Sequence, residues 1–257
     1  MTIKSAIILA AGLGTRMQAD ADAPPKPLTK LAGITLLDWM IEKLIAAGVA
    51  HIIINMHFKA DMIIDHVQSH KYNATILLSD ERAGLLDTVG GVVKAHDLLA
   101  GKLGLLAGEL QAAPFFICNA DIIWLETGSN LQALAQAFDA NDMDACLLLT
   151  KREQAGGYKG VGDFNMDAQG HIMRHKGQGD YVYAGVQVAH PRLLANAPQG
   201  AFPLNLLWDK ALAKTRLYGH GFVGEWMHVG TKEALAVAQA KLAAKAQTLS
   251  PPAKNRL

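Results

Sequence analysis

Ile7-Ile8-Leu9-Ala10-Ala11-Gly12-Leu13-Gly14-Thr15-Arg16-Met17, taken up again at Pro25-Lys26-Pro27-Leu28, is the stretch that decides how this chain is read. An apolar run suited to a buried strand breaks into small residues and glycines. It then presents one cation, Arg16, and a second, Lys26, between two prolines. Glycines let backbone N–H groups approach a polyphosphate closely, while Arg and Lys neutralise the charge that moves during transfer. The flanking prolines restrict the backbone around Lys26 and hold an otherwise exposed loop cation in place, as in-line displacement requires. The stretch lacks the third glycine of a dinucleotide fingerprint and the G-K-[ST] ending of a Walker loop. Nucleotide chemistry at the end of a strand is the expectation.

Outward from this stretch, apolar β-rich runs alternate with helical patterns. Residues 5–9, 51–56, 74–79, 115–119 and 145–150 read as strands, and 36–47, 61–69, 88–99 and 131–140 as helices. Strands that are apolar almost throughout, alternating with helices, predict an α/β fold with a Rossmann-like, mostly parallel central sheet covered on both faces. From Gly156 the texture changes. Segments 162–165, 171–174 and 181–189 alternate with turn residues and predict a small antiparallel insertion. A helix over 204–214, a strand over 217–222 and a helix over 231–246 follow. With no linker or repeat, residues 1–246 read as one domain and 247–257 as a flexible tail.

Of the 257 residues, 51% are hydrophobic and 18% charged, which is enough for a sizeable core and speaks against global disorder. A net charge of +1 provides no chain-wide field to recruit nucleic acid or a membrane, so neither is expected as a partner and phosphate affinity must be local. Cys118 and Cys146 lie in apolar runs and read as buried thiols of a reducing compartment. The N-terminal apolar run is too short to span a membrane and carries no cleavage pattern, so the cytoplasm is expected. His66 and His70 stand four apart, but no third ligand is evident near them, and they read as a solvated helix face.

With these residues in view, the Leu9 to Met17 stretch and Pro25-Lys26-Pro27-Leu28 resemble the signature of the sugar-1-phosphate nucleotidyltransferases. Gly90-Gly91 resembles the family's glycine turn at the base, and Asn119-Ala120-Asp121 its N-G-D element. Tyr183-Ala184-Gly185-Val186 resembles its sugar-side strand, and Trp226-Met227-His228-Val229-Gly230-Thr231 its late W-x-D-x-G-T segment. The short chain, and Gly160-Val161-Gly162-Asp163-Phe164, are similar to the N-acetylmuramate-1-phosphate uridylyltransferases. Short mannose-1-phosphate guanylyltransferases share the same pattern.

The resemblance implies a nucleotide-diphospho-sugar transferase fold with a nucleoside triphosphate and a sugar-1-phosphate as partners. The first choice is UTP with N-acetylmuramate α-1-phosphate. A mannose-1-phosphate guanylyltransferase is the alternative, and a non-catalytic nucleotide-sugar sensor is the alternative of another class. A phosphate oxygen attacks the α-phosphorus and pyrophosphate leaves, so positioning and charge stabilisation carry catalysis. By resemblance, Ala10, Ala11, Gly12, Gly14, Thr15, Arg16, Lys26, Thr88, Gly90 and Gly91 bind the nucleotide. Arg16, Lys26 and Asp121 are catalytic, and Asn119, Asp163 and Gly185 face the sugar. Asp121, closing a strand, suits Mg²⁺. His228 replaces the second metal-binding aspartate. Imidazole prefers softer ions such as Mn²⁺, which leaves His228, Glu225 or water to complete the coordination. Val89 and Ala120 replace glycines of the pattern. Arg174 and Lys176 are candidates for a second phosphate-binding cation, and Trp226 for stacking on a ligand. A monomer or homodimer is expected.

Overall fold

The structure, a computed structural model, describes residues 2–14, 23–84, 86–102, 107–126, 128–195, 197–198 and 200–249. Thr15 and Arg16 of the candidate loop, and residues 250–257 of the expected tail, lie outside the described residues.

Strand β1 (Ser5–Leu9) opens the fold, and a 3-10 turn at Lys26–Leu28 leads into a short ribbon, β2 (Lys30–Leu31) and β3 (Ile34–Thr35). The Thr35 hydroxyl accepts the Asp38 N–H at 3.1 Å, capping helix α1 (Leu36–Ala46), whose Leu37, Met40, Ile41 and Leu44 form its buried stripe. Next come β4 (His51–Met56), α2 (Ala60–Ser69), β5 (Thr75–Asp80), α3 (Asp87–Lys102), α4 (Ala107–Ala112) and β6 (Phe115–Asn119). The middle of the chain holds β7 (Ile122–Leu125), α5 (Asn130–Ala137), β8 (Ala145–Lys151), β9 (Ala155–Gly156), β10 (Phe164–Met166), β11 (Ile172–Arg174) and β12 (Tyr181–Ala189). Helix α6 (Asn205–Leu212), β13 (Leu217–Gly221), β14 (Glu225–His228) and α7 (Lys232–Leu249) complete it.

Among the described residues, nine strands make one sheet, with the central order β5-β4-β1-β6-β12-β8-β13. Neighbours run parallel on both sides of β12, which alone is reversed between β6 and β8. The strands are continuously apolar because both faces are covered. Ile52 and Ile54 pack towards α1 and α2, whereas Ile53 packs with Val89 and Val92 of α3. The antiparallel β10–β11 ribbon continues from β12 at the Phe164–Tyr181 pair. At Gly185, φ +80°, the β12–β8 register shifts, a conformation that glycine adopts without strain.

A second, three-stranded sheet, β7-β14-β9, was not legible in the sequence. Its strands of two to four residues are too short to display an alternation. Helix α7 packs on it and continues to Leu249, three residues into the segment expected to be a tail. Cys118 and Cys146 flank β12, and both are buried and free; burial pushes the Cys146 thiol up to about 12. Among the described residues, no helix is long and apolar enough to cross a membrane.

Candidate active site

Strands β1, β4 and β6 end together, and a cavity of about 350 Å³ opens at their carboxyl ends, where an open α/β sheet places its ligands. Its wall takes in Ala10, Ala11, Gly12 and Gly14 from the loop after β1, then Lys26 and Pro27. Asn119-Ala120-Asp121 after β6, Asp87 and Thr88 at the start of α3, and Asn55 and Gly230 complete it. Lys26 and Asp121 therefore share one cavity with the glycine loop. Ala120 is not among the positive-φ residues, so the missing glycine imposes no strain there.

Asn55 organises the loop. Its side chain is buried, and its Oδ1 accepts the N–H groups of Ala10 at 2.7 Å and Ala11 at 3.3 Å. Its Nδ2 donates to Glu81 Oε1 at 2.8 Å. Glu81 is itself only 1% exposed, and burial raises its carboxyl pKa against the opposing Asn55 bond. The Ala10 and Ala11 amides are thus already engaged. The first loop amide without a hydrogen bond among the described residues is that of Gly12. Neither Asn55 nor Glu81 was singled out from the sequence. The available signal was a polar asparagine following three isoleucines at a strand's carboxyl end.

The glycine pair takes a different place from the expected turn. Gly90 and Gly91 lie within α3, and neither lines the cavity. A Cβ on Gly91 would fall 2.6 Å from Asn55 Nδ2 and 2.7 Å from Glu81 Oε1, so glycine here lets the helix close over that pair. Val89 is fully buried against the sheet and takes no part in the cavity.

Asp121 receives two partners on one oxygen. Lys26 Nζ is ion-paired with Oδ2, and His228 Nε2 lies 3.2 Å from the same atom. The β14–β7 register, closed by a 3.0 Å bond from Val229 N–H to the Asp121 carbonyl, brings His228 there. Burial alone would raise the Asp121 carboxyl, but the His228 hydrogen bond and the Lys26 charge outweigh it and hold it at about 2. Lys26 is not an exposed loop lysine, as its side chain is only 14% accessible. Glu225 does not reach Asp121: strand alternation sends it to the other face of β14, where it pairs with Lys241 at 3.0 Å. Oδ1 of Asp121 makes no hydrogen bond among the described residues. One free carboxylate oxygen beside a phosphate-sized cavity fits a hard divalent cation that keeps water or phosphate as its other ligands.

A second cavity, also about 350 Å³, adjoins the first and shares Asn119 with it. Asp163, Gly185 and Arg174 line it together with Tyr158, Trp208, Trp226 and His228. Asp163 Oδ2 accepts the Tyr183 N–H at 2.8 Å. A Cβ on Gly185 would come within 2.7 Å of Ile122 and 3.2 Å of the Asn119 amide, so glycine lets β12 approach closely the residue that both cavities share. Arg174 is braced by Asp209 at 2.9 Å and lies over the Phe164 ring at 4.8 Å. Lys176 is exposed and outside the wall. Trp226 is buried, its indole N–H donating to the Ala184 carbonyl at 2.9 Å, and it forms wall beside His228. Tyr158 and Trp208, both wall residues, carried no distinguishing signal in the sequence.

Comparison with known proteins identifies the family. Residues 6–249 match the MobA-like NTP transferase domain. An N-acetylmuramate alpha-1-phosphate uridylyltransferase of Caulobacter vibrioides is 38% identical over 93% of this chain and 97% of its own length. An enzyme of the same name from Neisseria meningitidis is 30% identical over 91% and 98%. The crystal structure of a UDP-glucose pyrophosphorylase complexed with UDP-glucose superposes with a TM-score of 0.75 at 14% identity, covering 95% of this chain and 99% of that one, and so shares its fold. This chain belongs to the MobA-like NTP transferases and, within them, to the sugar-1-phosphate nucleotidyltransferases.

Proposed function

We propose that this enzyme transfers the uridylyl group of UTP to N-acetylmuramate α-1-phosphate, releasing pyrophosphate. The observation that carries the reading is the junction of the two cavities, where Asn119 is shared and Lys26, Asp121 and His228 converge. The uridylyltransferases similar over nearly their whole length support this substrate pair. The sugar phosphate oxygen forms a bond to the α-phosphorus while the bond to the β-phosphate oxygen breaks, and pyrophosphate leaves with that electron pair.

The amides of Gly12 and Gly14, with Thr15 and Arg16, hold the departing phosphates. Lys26 neutralises charge between the α-phosphate and the attacking phosphate, and Thr88 closes the nucleotide side. Ala10 and Ala11 shape the wall, their amides being held by Asn55. Asp121 holds Mg²⁺, which when bound offsets phosphate charge, and His228 orients the carboxylate from Oδ2. Asn119 and Asp163 take sugar hydroxyls in the second cavity. The free, buried Cys118 and Cys146 support a cytoplasmic location.

Pyrophosphate release is the test, measured with Mg²⁺ for UTP or GTP against N-acetylmuramate α-1-phosphate or mannose-1-phosphate. Turnover of the UTP and N-acetylmuramate pair is expected. Turnover of GTP with mannose-1-phosphate in its place would reassign the substrates, and folded protein silent on every pair would end the enzymatic reading.

A further inference from the structure

His66 and His70 lacked a third ligand in the sequence, and the fold supplies one. Asp38 of α1 comes against His66 of α2 and His70 just past it, and a ligand atom from each lies within 4.8 Å of the others. None of the three lines either cavity. His66 Nε2 is 3.0 Å from both Asp38 oxygens. Around a tetrahedral Zn²⁺ with bonds of 2.0–2.1 Å, neighbouring ligand atoms stand about 3.3 Å apart, so this pair is already near metal spacing.

The supporting groups are also in place. His70 Nδ1 lies 2.7 Å from the His66 carbonyl oxygen, an acceptor, so Nδ1 carries the proton and Nε2 keeps its lone pair. The ring is exposed and packs against the His66 ring, with the centroids 4.3 Å apart. On Asp38, the Tyr72 hydroxyl donates to Oδ1 at 2.7 Å and the Thr35 hydroxyl to Oδ2 at 2.6 Å. Such hydrogen bonds commonly orient a ligating carboxylate. Two imidazoles and one carboxylate favour a borderline transition metal over Mg²⁺.

We propose that Asp38, His66 and His70 bind Zn²⁺, with water as fourth ligand, and so tie α2 to α1 at a site separate from the active centre. The test uses the full chain, stripped of metal, in an Asp121→Asn background that removes the active-centre carboxylate. Zn²⁺ binding is read by equilibrium dialysis and by thermal midpoint, with Co²⁺ visible spectroscopy for coordination geometry. A single Zn²⁺ that raises the midpoint, unaffected by excess Mg²⁺, is expected. The exposed substitution His70→Ala should weaken it at least about tenfold and remove the tetrahedral Co²⁺ bands. Equal Zn²⁺ binding with and without His70→Ala, or no binding at all, would leave Asp38 and His66 as a plain ion pair and overturn the site.

Discussion

The two adjoining cavities are built by different means. The first is walled by the ends of parallel strands and by backbone, with a few charged groups at its floor, and its loop is held from behind by Asn55 and Glu81. The second is walled by side chains from β12, the segment before β10, α6 and the small sheet, four of them aromatic. Phosphate chemistry is common to every substrate of such a reaction, so amides and fixed cations suffice on the first side. A particular sugar differs from others in hydroxyl pattern and bulk, which only placed side chains can read. Interchangeable parts should therefore lie in the second cavity and invariant chemistry in the first.

That contrast can be broken most severely at Lys26. Lys26→Ala should lower kcat/KM about 10²- to 10³-fold whichever sugar phosphate is offered. It should also cost about 1–3 kcal/mol in denaturant unfolding, because Asp121 loses its cation. Gly91→Ala comes next. It should destabilise by about 1–3 kcal/mol and, by displacing Asn55, raise the KM for UTP more than that for the sugar phosphate. Asp163→Asn should do the reverse, raising the sugar phosphate KM about tenfold with the UTP value unchanged. If both KM values move together in either variant, the two cavities do not work as separate halves. His228→Asp sharpens the junction between them. A second carboxylate against Asp121 should lower the thermal midpoint in metal-free buffer and recover it with Mg²⁺, giving activity at least equal to that of the parent.

The smallest effect belongs to the frame both cavities share. His96, His190 and His220 all have lowered pKa values, chiefly because burial disfavours their charged form. Unfolded histidines take up a proton near 6.5, before these do. The stability they contribute is complete above that pH and is lost as pH falls through the folded-state values. A midpoint that drops between neutral pH and about pH 5, with the ratio of the two KM values unchanged, would place the loss in the frame.

Much of the first cavity was legible because its signals are local. Three isoleucines and a run of small residues mark strand and loop from neighbouring positions alone, and β4 and β6 occupy the residues read as strands. Gly90-Gly91 was less plain for the opposite reason, since glycine marks a turn or a close helix approach equally well, and here it packs α3 against Asn55 and Glu81. The second cavity was less legible because its wall gathers single residues from several short elements, and Tyr158 or Trp208 look like any other aromatics in the chain.

The sequence by itself determined the doubly covered parallel half, the glycine loop after β1 and the residue types a nucleotidyl transfer needs, because periodicity and glycine spacing act over a few consecutive positions. The tertiary structure alone decided that Lys26 meets Asp121 across 95 positions, that His228 rather than Glu225 meets it across 107, and that Asp38 joins two histidines 28 or more residues away. Those meetings depend on strand register and helix docking, which are fixed by side chains packing from distant parts of the chain and leave no mark on the residues that meet.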